Sequence, residues 1–229
     1  MILAAGRGER MRPLTDHTPK PLLAAGGKSL IVWHIERLVR AGITEIIINH
    51  AHLGAQIEAA LGDGSRFGAQ ISYSPEAAAL ETAGGIANAL PLLGNEPFAV
   101  VNGDIFCDYS FAQLSARAES LQANGDAAFL VLVNNPAQHP NGDFGLLHDR
   151  LSEGVPKLTF SGIGLYRPAL FAHIDPGTKA PLAPLLRAKI AAGKVGGEHF
   201  NGRWMDVGTP QRLQELDNEL RTSQNAVHD

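Results

Sequence analysis

The sequence has few of the features that mark secreted, membrane-spanning or nucleic-acid-binding proteins. Its one cysteine, Cys107, excludes an internal disulfide and fits a reducing cytoplasm. No apolar run approaches the roughly 20 residues that span a bilayer, and segment 1–7 lacks the charged leader of a signal peptide. The formal net charge of −4 gives no electrostatic case for nucleic acid or an anionic membrane. We therefore expect a cytoplasmic protein whose partners are small molecules.

The composition is that of one soluble globular domain. The 229 residues are 45% hydrophobic and 18% charged, which suits one large buried core and would be crowded for two. Short apolar runs alternate with helical patterns, and this alternation predicts an α/β fold: a Rossmann-like, open, mostly parallel sheet with helices on both faces. After the first half, 1–135, loops rich in Gly and Pro predict a smaller lobe over 136–222 on the same sheet. We expect a single domain over 1–222 and a frayed tail over 223–229.

Three local patterns predict details of the backbone. Ser110 and Gln113 have the spacing of a capping box at the start of a helix. Thr209 is expected to cap the last helix, with a proline at its first position. Lys20 lies between two prolines, and the second of these favours an extended conformation that would aim one charge accurately.

A basic, glycine-containing loop near the start suggests a small polyanion as ligand. Segment 7–20 has four basic residues against two acidic ones. Gly6 and Gly8 can adopt positive φ and let backbone N–H groups approach phosphate oxygens, while the small Ala4 and Ala5 leave room for a flat base. Neither the Walker nor the dinucleotide spacing is present. A plain glycine turn with a solvated basic face explains the loop, taken alone, about as well.

Two aspartates lie far apart in the chain, one after a predicted strand and one before a predicted turn. Asn102, Gly103 and Asp104 come directly after a wholly apolar strand, where a carboxylate can bind Mg²⁺ that faces phosphates. Asp206 precedes the turn into the last helix. An Asx turn or a helix cap explains either aspartate singly, but not two aspartates and a basic loop converging on one sheet edge.

These segments together resemble the sugar-1-phosphate nucleotidyltransferase family. Residues 3–23 are similar to its signature L-A-A-G-x-G-x-R-x-x-P-L-T followed by P-K-P-L, and 102–104 and 204–210 are similar to its two metal-binding segments. The resemblance implies transfer of a nucleoside monophosphate to a sugar 1-phosphate, with Mg²⁺ as cofactor. It implies catalytic roles for Arg10, Lys20 and Asp104, and Mg²⁺ ligation by Asp104 and Asp206. The implied nucleotide-binding residues are Ala4, Ala5, Gly6, Gly8, Lys20, Glu81, Gly85 and Asn102, and the implied sugar-binding residues are Asn102, Asp143, Gly145 and Glu153.

The sequence departs from the family pattern at two places. Glu81 stands where the family's L-G-T-A-G segment has its first glycine, and its carboxylate either accepts a hydrogen bond from base or ribose or favours a helix N-terminus. The family's Glu-Lys pair reads Glu153 and Gly154 here, with Lys157 nearby. His50 and His52 are expected to be structural, since Mg²⁺ prefers oxygen ligands, and Cys107 to be a buried apolar residue.

Within the family, the resemblance favours a small branch that joins UTP and N-acetylmuramate 1-phosphate in peptidoglycan recycling. Segment 158–168 carries this resemblance, and its small residues would leave room for the sugar's lactyl and N-acetyl groups. Mannose 1-phosphate with GTP is the main alternative, followed by glucose 1-phosphate with dTTP or UTP. A cytidylyl or molybdopterin-type transferase, or a nucleotide-sugar sensor without activity, fits the combined motifs less well. We expect a monomer or a small homo-oligomer.

Overall fold

The computed structural model describes the backbone of residues 1–225 and the side chains of residues 1–223. The strands in chain order are β1 (Ile2–Leu3), β2 (Ala24–Ala25), β3 (Lys28–Ser29), β4 (Glu45–His50), β5 (Gln70–Pro75), β6 (Phe98–Asn102), β7 (Ile105–Cys107), β8 (Ala128–Val133), β9 (Phe144–Leu147), β10 (Arg150–Ser152), β11 (Lys157–Tyr166), β12 (Val195–His199) and β13 (Trp204–Asp206). The α-helices are α1 (Leu30–Arg40), α2 (Gly54–Leu61), α3 (Glu81–Leu93), α4 (Gln113–Ala123), α5 (Leu182–Ala191) and α6 (Pro210–Asn225).

One nine-stranded sheet organises the molecule, in the order β5-β4-β1-β6-β11-β8-β12-β10-β9. The strands β5, β4, β1 and β6 are parallel neighbours, so their carboxyl ends meet at one edge of the sheet. The long strand β11 runs antiparallel to β6 and β8, and its first residues pair with β9. The predicted α/β class is confirmed, but the sheet is mixed and not mostly parallel, because β11 runs antiparallel to β6 and β8 and β10 runs antiparallel to β9 and β12.

The helices cover both faces of this sheet, as the sequence predicts. Buried residues of α1, α2 and α4 share one apolar cluster with the sheet, and those of α3 and α5 share the other. All six residues of β8 are buried, because this apolar strand lies between β11 and β12 in the middle of the sheet. A third cluster packs α6 against the loop between β1 and β2, residues 4–23, which we call the first loop. Each buried Leu or Ile side chain contributes about 1.5–3 kcal/mol.

The backbone corrects two of the local predictions. Ser110 does not cap α4: the helix begins one residue after Ala112, and no side-chain cap bond forms there. Lys20 is not extended but begins a 3-10 turn, because the Leu22 N–H donates to Pro19 O at 2.9 Å and outweighs the bias of the following proline. Thr209 does cap α6, since the Arg212 N–H donates to its Oγ1 at 3.3 Å.

The tail expected to fray, 223–229, is helical as far as Asn225, and the rest of it lies outside the described residues. The division into halves at residue 135 stays a prediction. Within residues 1–225, no helix has both the length and the apolar character that a membrane crossing requires.

Candidate active site

A cleft opens where the parallel strands end. The residues after β1, β5 and β6 and the last residues of β4 meet there, in agreement with the rule that open α/β sheets bind ligands at the carboxyl ends of their strands. The cavity has a volume of about 220 Å³. It is lined by Leu3, Ala4, Ala5, Gly6, Lys20, Pro21, Asn49, Glu76, Ala79, Glu81, Thr82, Asn102, Gly103 and Asp104. Seven of the predicted site residues therefore share one cavity: Ala4, Ala5, Gly6, Lys20, Glu81, Asn102 and Asp104.

The first loop folds tightly over the stem of Lys20. Gly8 has φ +69°, and a Cβ atom there would lie 3.1 Å from Thr15 Cγ2 and 3.3 Å from Lys20 Cβ. The Thr15 hydroxyl donates to Gly8 O at 2.9 Å, which holds the loop down. The positive φ expected at Gly8 is confirmed. Gly6 is exposed and is not among the glycines with positive φ, so it does not use the conformational freedom that Gly8 uses.

The three arginines of the first loop differ in whether acidic side chains already pair with them. Arg7 donates to Thr15 O at 2.7 Å and to Asp16 Oδ1 at 3.2 Å, and Arg12 donates to the same carboxylate oxygen at 2.8 Å. Arg10 is exposed and forms no ion pair with the described residues. Of the three loop arginines, Arg10 is thus the one whose charge is free for a ligand.

Lys20 and Asp104 form an ion pair inside the cleft. Lys20 Nζ lies 2.7 Å from Asp104 Oδ2. The lysine side chain is 9% exposed and the aspartate side chain 41% exposed, so the charge sits on a buried stem while the carboxylate faces the opening. The fold brings these two residues together across more than eighty positions of the sequence.

The second aspartate is brought beside the first by a two-stranded ladder. In the antiparallel pair of β7 and β13, Asp206 stands opposite Ile105, and the Val207 N–H donates to Asp104 O at 2.9 Å. Arg212 Nη1 lies 2.6 Å from Asp206 Oδ2. A Cβ atom on Gly208 would lie 3.1 Å from Arg10 Nη2, which places the free arginine beside the same segment.

This pair of carboxylates fits a hard divalent cation. Each aspartate is paired with a cationic side chain, Lys20 for Asp104 and Arg212 for Asp206, so a cation bound there would share these carboxylates with the two side chains. Carboxylate oxygens supplemented by phosphate and water are the ligands that Mg²⁺ prefers. Among the described residues no group of three or more His, Cys, Asp or Glu side chains forms a metal cage, and Mg²⁺ bound with substrate phosphates does not require one.

The cleft wall contains a buried polar network that the sequence did not reveal. Asn49 Oδ1 accepts from the Ala4 N–H at 2.9 Å, and its Nδ2 donates to Glu76 Oε1 at 2.6 Å. The other oxygen of Glu76 accepts from the Leu80 N–H at 2.8 Å. A Cβ atom on Gly85 would lie 2.7 Å from Glu76 Oε1, so this glycine leaves space for the network. A polar residue at a strand end is the signal that could have identified Asn49.

Glu81 has a strained backbone. Its φ of 60° lies in the left-handed region, which costs a residue with a side chain about 1–2 kcal/mol. Its ion pair with Lys179, at 3.3 Å, joins side chains that are 42% and 67% exposed. Such exposed pairs contribute about 0.2–1 kcal/mol. The ion pair therefore does not offset the strain.

Asn102 connects the cleft to the second half of the chain. A β-bulge interrupts β11 between Phe160 and Ile163. Gly162, in this bulge, has φ +84°, and a Cβ atom there would lie 2.7 Å from Asn102 Nδ2. Trp204 Nε1 donates to Ser161 O at 2.9 Å, which fastens β13 to the same bulge.

The remaining predicted sugar-binding residues, Asp143, Gly145 and Glu153, lie together in the lobe and outside the lining of the cavity. Gly145 is needed for packing, because a Cβ atom there would lie 2.5 Å from Gly154 O. Both oxygens of Asp143 have protein partners: His139 Nε2 at 3.1 Å and the Phe160 N–H at 2.8 Å.

Glu153 pairs with two cations. Its Oε2 lies 3.3 Å from Lys157 Nζ and 2.7 Å from Arg187 Nη1. Lys157, at the start of β11, and Arg187, on α5, thus place two positive charges against Glu153. The sequence pattern did not indicate Arg187, because α5 and Glu153 meet only in the fold.

The polar residues set aside at the outset have structural partners. His50 Nε2 lies 2.7 Å from Glu58 Oε1, and His52 Nε2 lies 3.0 Å from Thr15 O. Cys107 is fully buried, and burial raises the pKa of its thiol to about 11, so it is no nucleophile. His34 is buried beneath the site, with its Nε2–H donating to Ile105 O at 2.8 Å.

Comparisons with known proteins cover most of the chain. A family model described as nucleotidyl transferase matches residues 1–154. The N-acetylmuramate alpha-1-phosphate uridylyltransferase of Neisseria meningitidis is 57% identical over 94% of this chain and 95% of its own length. The mannose-1-phosphate guanylyltransferase catalytic subunit beta of Dictyostelium discoideum is 30% identical over 92% of this chain and 61% of its own. A Bacillus anthracis structure assigned as a glucose-1-phosphate thymidylyltransferase has the same fold, with a TM-score of 0.83, 24% identity and coverage of 96% and 94%.

Proposed function

Because the chain belongs to the nucleotidyl transferase family, we propose that it joins UTP and N-acetylmuramate 1-phosphate to give UDP-N-acetylmuramate and pyrophosphate. The observation that carries the substrate assignment is the 57% identity to a uridylyltransferase of that name along nearly both full chains. The mannose enzymes are more distant, and this chain spans only 61% of their length. A role in peptidoglycan recycling and a cytoplasmic location are parts of the same proposal.

In the proposed reaction, an oxygen of the sugar phosphate attacks the α-phosphorus of UTP and pyrophosphate leaves. A phosphate monoester is largely ionised at neutral pH, since its second pKa is about 6. The attacking group therefore needs no general base. The protein must instead align two anions and offset their charge.

The charged residues of the cleft suit these tasks. Lys20 offers a single charge on a buried stem next to Asp104, where the reacting phosphates would lie. Arg10, which no acidic side chain of the described residues pairs, would hold the leaving pyrophosphate with the amides of the first loop. Asp104 and Asp206 would hold Mg²⁺, which when bound supplies positive charge to the phosphate oxygens.

The lobe offers a positive site for the carboxylate of the sugar. N-acetylmuramate differs from N-acetylglucosamine by a 3-O-lactyl group, which carries one negative charge. Glu153 is paired with both Lys157 and Arg187, so the three side chains have a net charge of +1. Arg187 Cζ also lies 5.6 Å from the centroid of the Phe144 ring, which helps to orient it. We assign Arg187 to the lactyl carboxylate and Glu153 to a sugar hydroxyl.

A matrix of triphosphates against sugar 1-phosphates, read as pyrophosphate released, tests the assignment. We expect UTP to exceed GTP and dTTP, and N-acetylmuramate 1-phosphate to exceed the N-acetylglucosamine, glucose and mannose 1-phosphates. Arg187→Ala should reduce the preference for N-acetylmuramate over N-acetylglucosamine, with Lys189→Ala on the same helix as the matched control. A preference for GTP with mannose 1-phosphate would refute the assignment, and no pyrophosphate from any pair would favour an inactive sensor.

A further inference from the structure

We infer that Glu81 is a specificity-determining residue whose carboxylate accepts a hydrogen bond from an N–H or O–H donor of the bound substrate. Glu81 lines the cleft and has a backbone conformation that glycine adopts without strain. Glycine is also the residue of the family pattern at this position. With Glu81 the chain has a carboxylate and a strained backbone at a position where glycine would have neither. Backbone strain at a ligand cleft points to a functional role. This inference rests on the proposed function and names a further contact of the same site.

The surrounding structure does not account for the strain. The N–H groups of Ala83 and Gly84, in the first turn of α3, both donate to Ala180 O, at 3.0 and 3.1 Å, and no side chain caps the start of this helix. The Glu81 side chain therefore does not act as a cap. Its ion pair with Lys179 is exposed at both ends and does not offset the strain.

Glu81 is also the carboxylate of the cleft wall that is best placed to serve a ligand. Three acidic side chains line the cavity: Glu76, Glu81 and Asp104. Glu76 is 7% exposed, and its two oxygens accept from Asn49 and from the Leu80 N–H. Asp104 is paired with Lys20 and belongs to the proposed metal site. A substrate donor entering beside α3 therefore meets Glu81.

The donor belongs either to the base or to the sugar, and the chemistry is the same. The uracil ring offers one imide N–H, and the sugar offers hydroxyl groups and an acetamido N–H. Carboxylate acceptors form stronger hydrogen bonds than neutral ones. Separate Michaelis constants for the triphosphate and the sugar phosphate distinguish the two sources, and N3-methyl-UTP tests the imide directly because it lacks that N–H.

The test compares Glu81→Gly with three other variants, using whichever substrate pair the wild-type matrix shows to be turned over best. Failure of the UTP and N-acetylmuramate assignment therefore remains distinguishable from failure of this inference. Glu81→Gln retains an oxygen acceptor without charge. Lys179→Ala removes the ion pair alone. Asp149→Gly is the matched control for strain, because Asp149 also has φ 60° but lies exposed in the hairpin between β9 and β10.

We expect Glu81→Gly to lower kcat/KM by about 10- to 100-fold, the range of one hydrogen bond to a charged group. Its melting temperature should equal the wild-type value or exceed it by up to about 4 °C, because the strain is relieved. Glu81→Gln should retain an intermediate kcat/KM. Asp149→Gly should show the same thermal behaviour with unchanged kinetics, and Lys179→Ala should keep most of the activity.

Two results would overturn the inference. In the first, the kcat/KM of Glu81→Gly is unchanged for both substrates, whatever its melting temperature, which would show that the carboxylate makes no substrate contact. In the second, Lys179→Ala reproduces the kinetic loss of Glu81→Gly, which would assign the effect to the ion pair and not to a ligand contact.

Discussion

Asn49 connects the first loop to the opposite wall of the cleft, and its removal should damage both stability and nucleotide binding. It is 2% exposed, and it is the partner of the Ala4 N–H at 2.9 Å and of Glu76 Oε1 at 2.6 Å. Asn49→Ala leaves both groups without that partner. A buried group left unpaired costs about 1–3 kcal/mol, so the two together cost about 2–6 kcal/mol.

The assay is thermal unfolding combined with the kinetics of pyrophosphate release. At about 2–4 °C per kcal/mol for a chain of this size, a central loss of about 4 kcal/mol lowers the melting temperature by about 8–16 °C. The Michaelis constant for UTP should rise more than that for the sugar phosphate, because the Ala4 backbone is the part of the loop that Asn49 positions.

Asn88→Ala is the matched control. Asn88 is half-buried, and its Nδ2 donates to a neutral acceptor, Ser74 Oγ, at 3.2 Å. Its removal should cost no more than about 1 kcal/mol and leave the kinetics unchanged. Equal losses of stability in the two variants, or an unchanged Michaelis constant for UTP in Asn49→Ala, would refute the reasoning.

Three further predictions concern residues of the site and the helix beneath it. Asp104→Asn and Asp206→Asn should each lower kcat by about 10²–10³-fold at saturating Mg²⁺. EDTA should abolish the activity of the wild type until Mg²⁺ is restored. Near-normal turnover of either variant would contradict the metal assignment. Lys20→Ala should lower kcat. Lys20→Arg should restore little of the lost kcat, because Gly8 lies close against the stem of the side chain. A change in the Michaelis constant alone would mean that Lys20 binds substrate and does not assist turnover. Burial lowers the pKa of His34 from 6.5 to about 4, so between these pH values the unfolded chain takes up a proton and the folded chain does not. The free energy of unfolding should therefore fall by up to about 3 kcal/mol from pH 6.5 to 4. It should fall less steeply with pH in His34→Gln, and an equally steep fall in that variant would contradict the prediction.

Local patterns predicted most elements and the edge of the sheet where the site lies. Apolar periodicity located α1, β4 and β8, the rule for strand ends predicted that Asn102 and Asp104 lie at the site, and the resemblance added Lys20, which lines the same cavity. Periodicity carries no information on strand direction, because a buried strand has the same composition whichever way it runs. The antiparallel course of β11 was therefore not predicted.

The contacts missed by the sequence analysis are those made between distant elements. Asn49 meets Glu76 because β4 and β5 are neighbours in register, and Arg187 meets Glu153 because α5 packs near the turn after β10. Neither pairing has a fixed spacing in the chain. By contrast, the left-handed backbone of Glu81 could have been suspected, since a glycine in the family pattern often marks a position with positive φ.

The ladder between β7 and β13 has a consequence for how such a protein can change its substrate. The backbone pairing of β7 with β13 fixes the separation of Asp104 and Asp206, and the length of the segment between them does not set it. Insertions, deletions or exchanged turns within the lobe can therefore reshape the pocket for a different sugar without altering the spacing of the two acids. If the proposed function holds, chemistry and substrate choice become separable traits, because the two acids keep their spacing whatever loops the lobe contains.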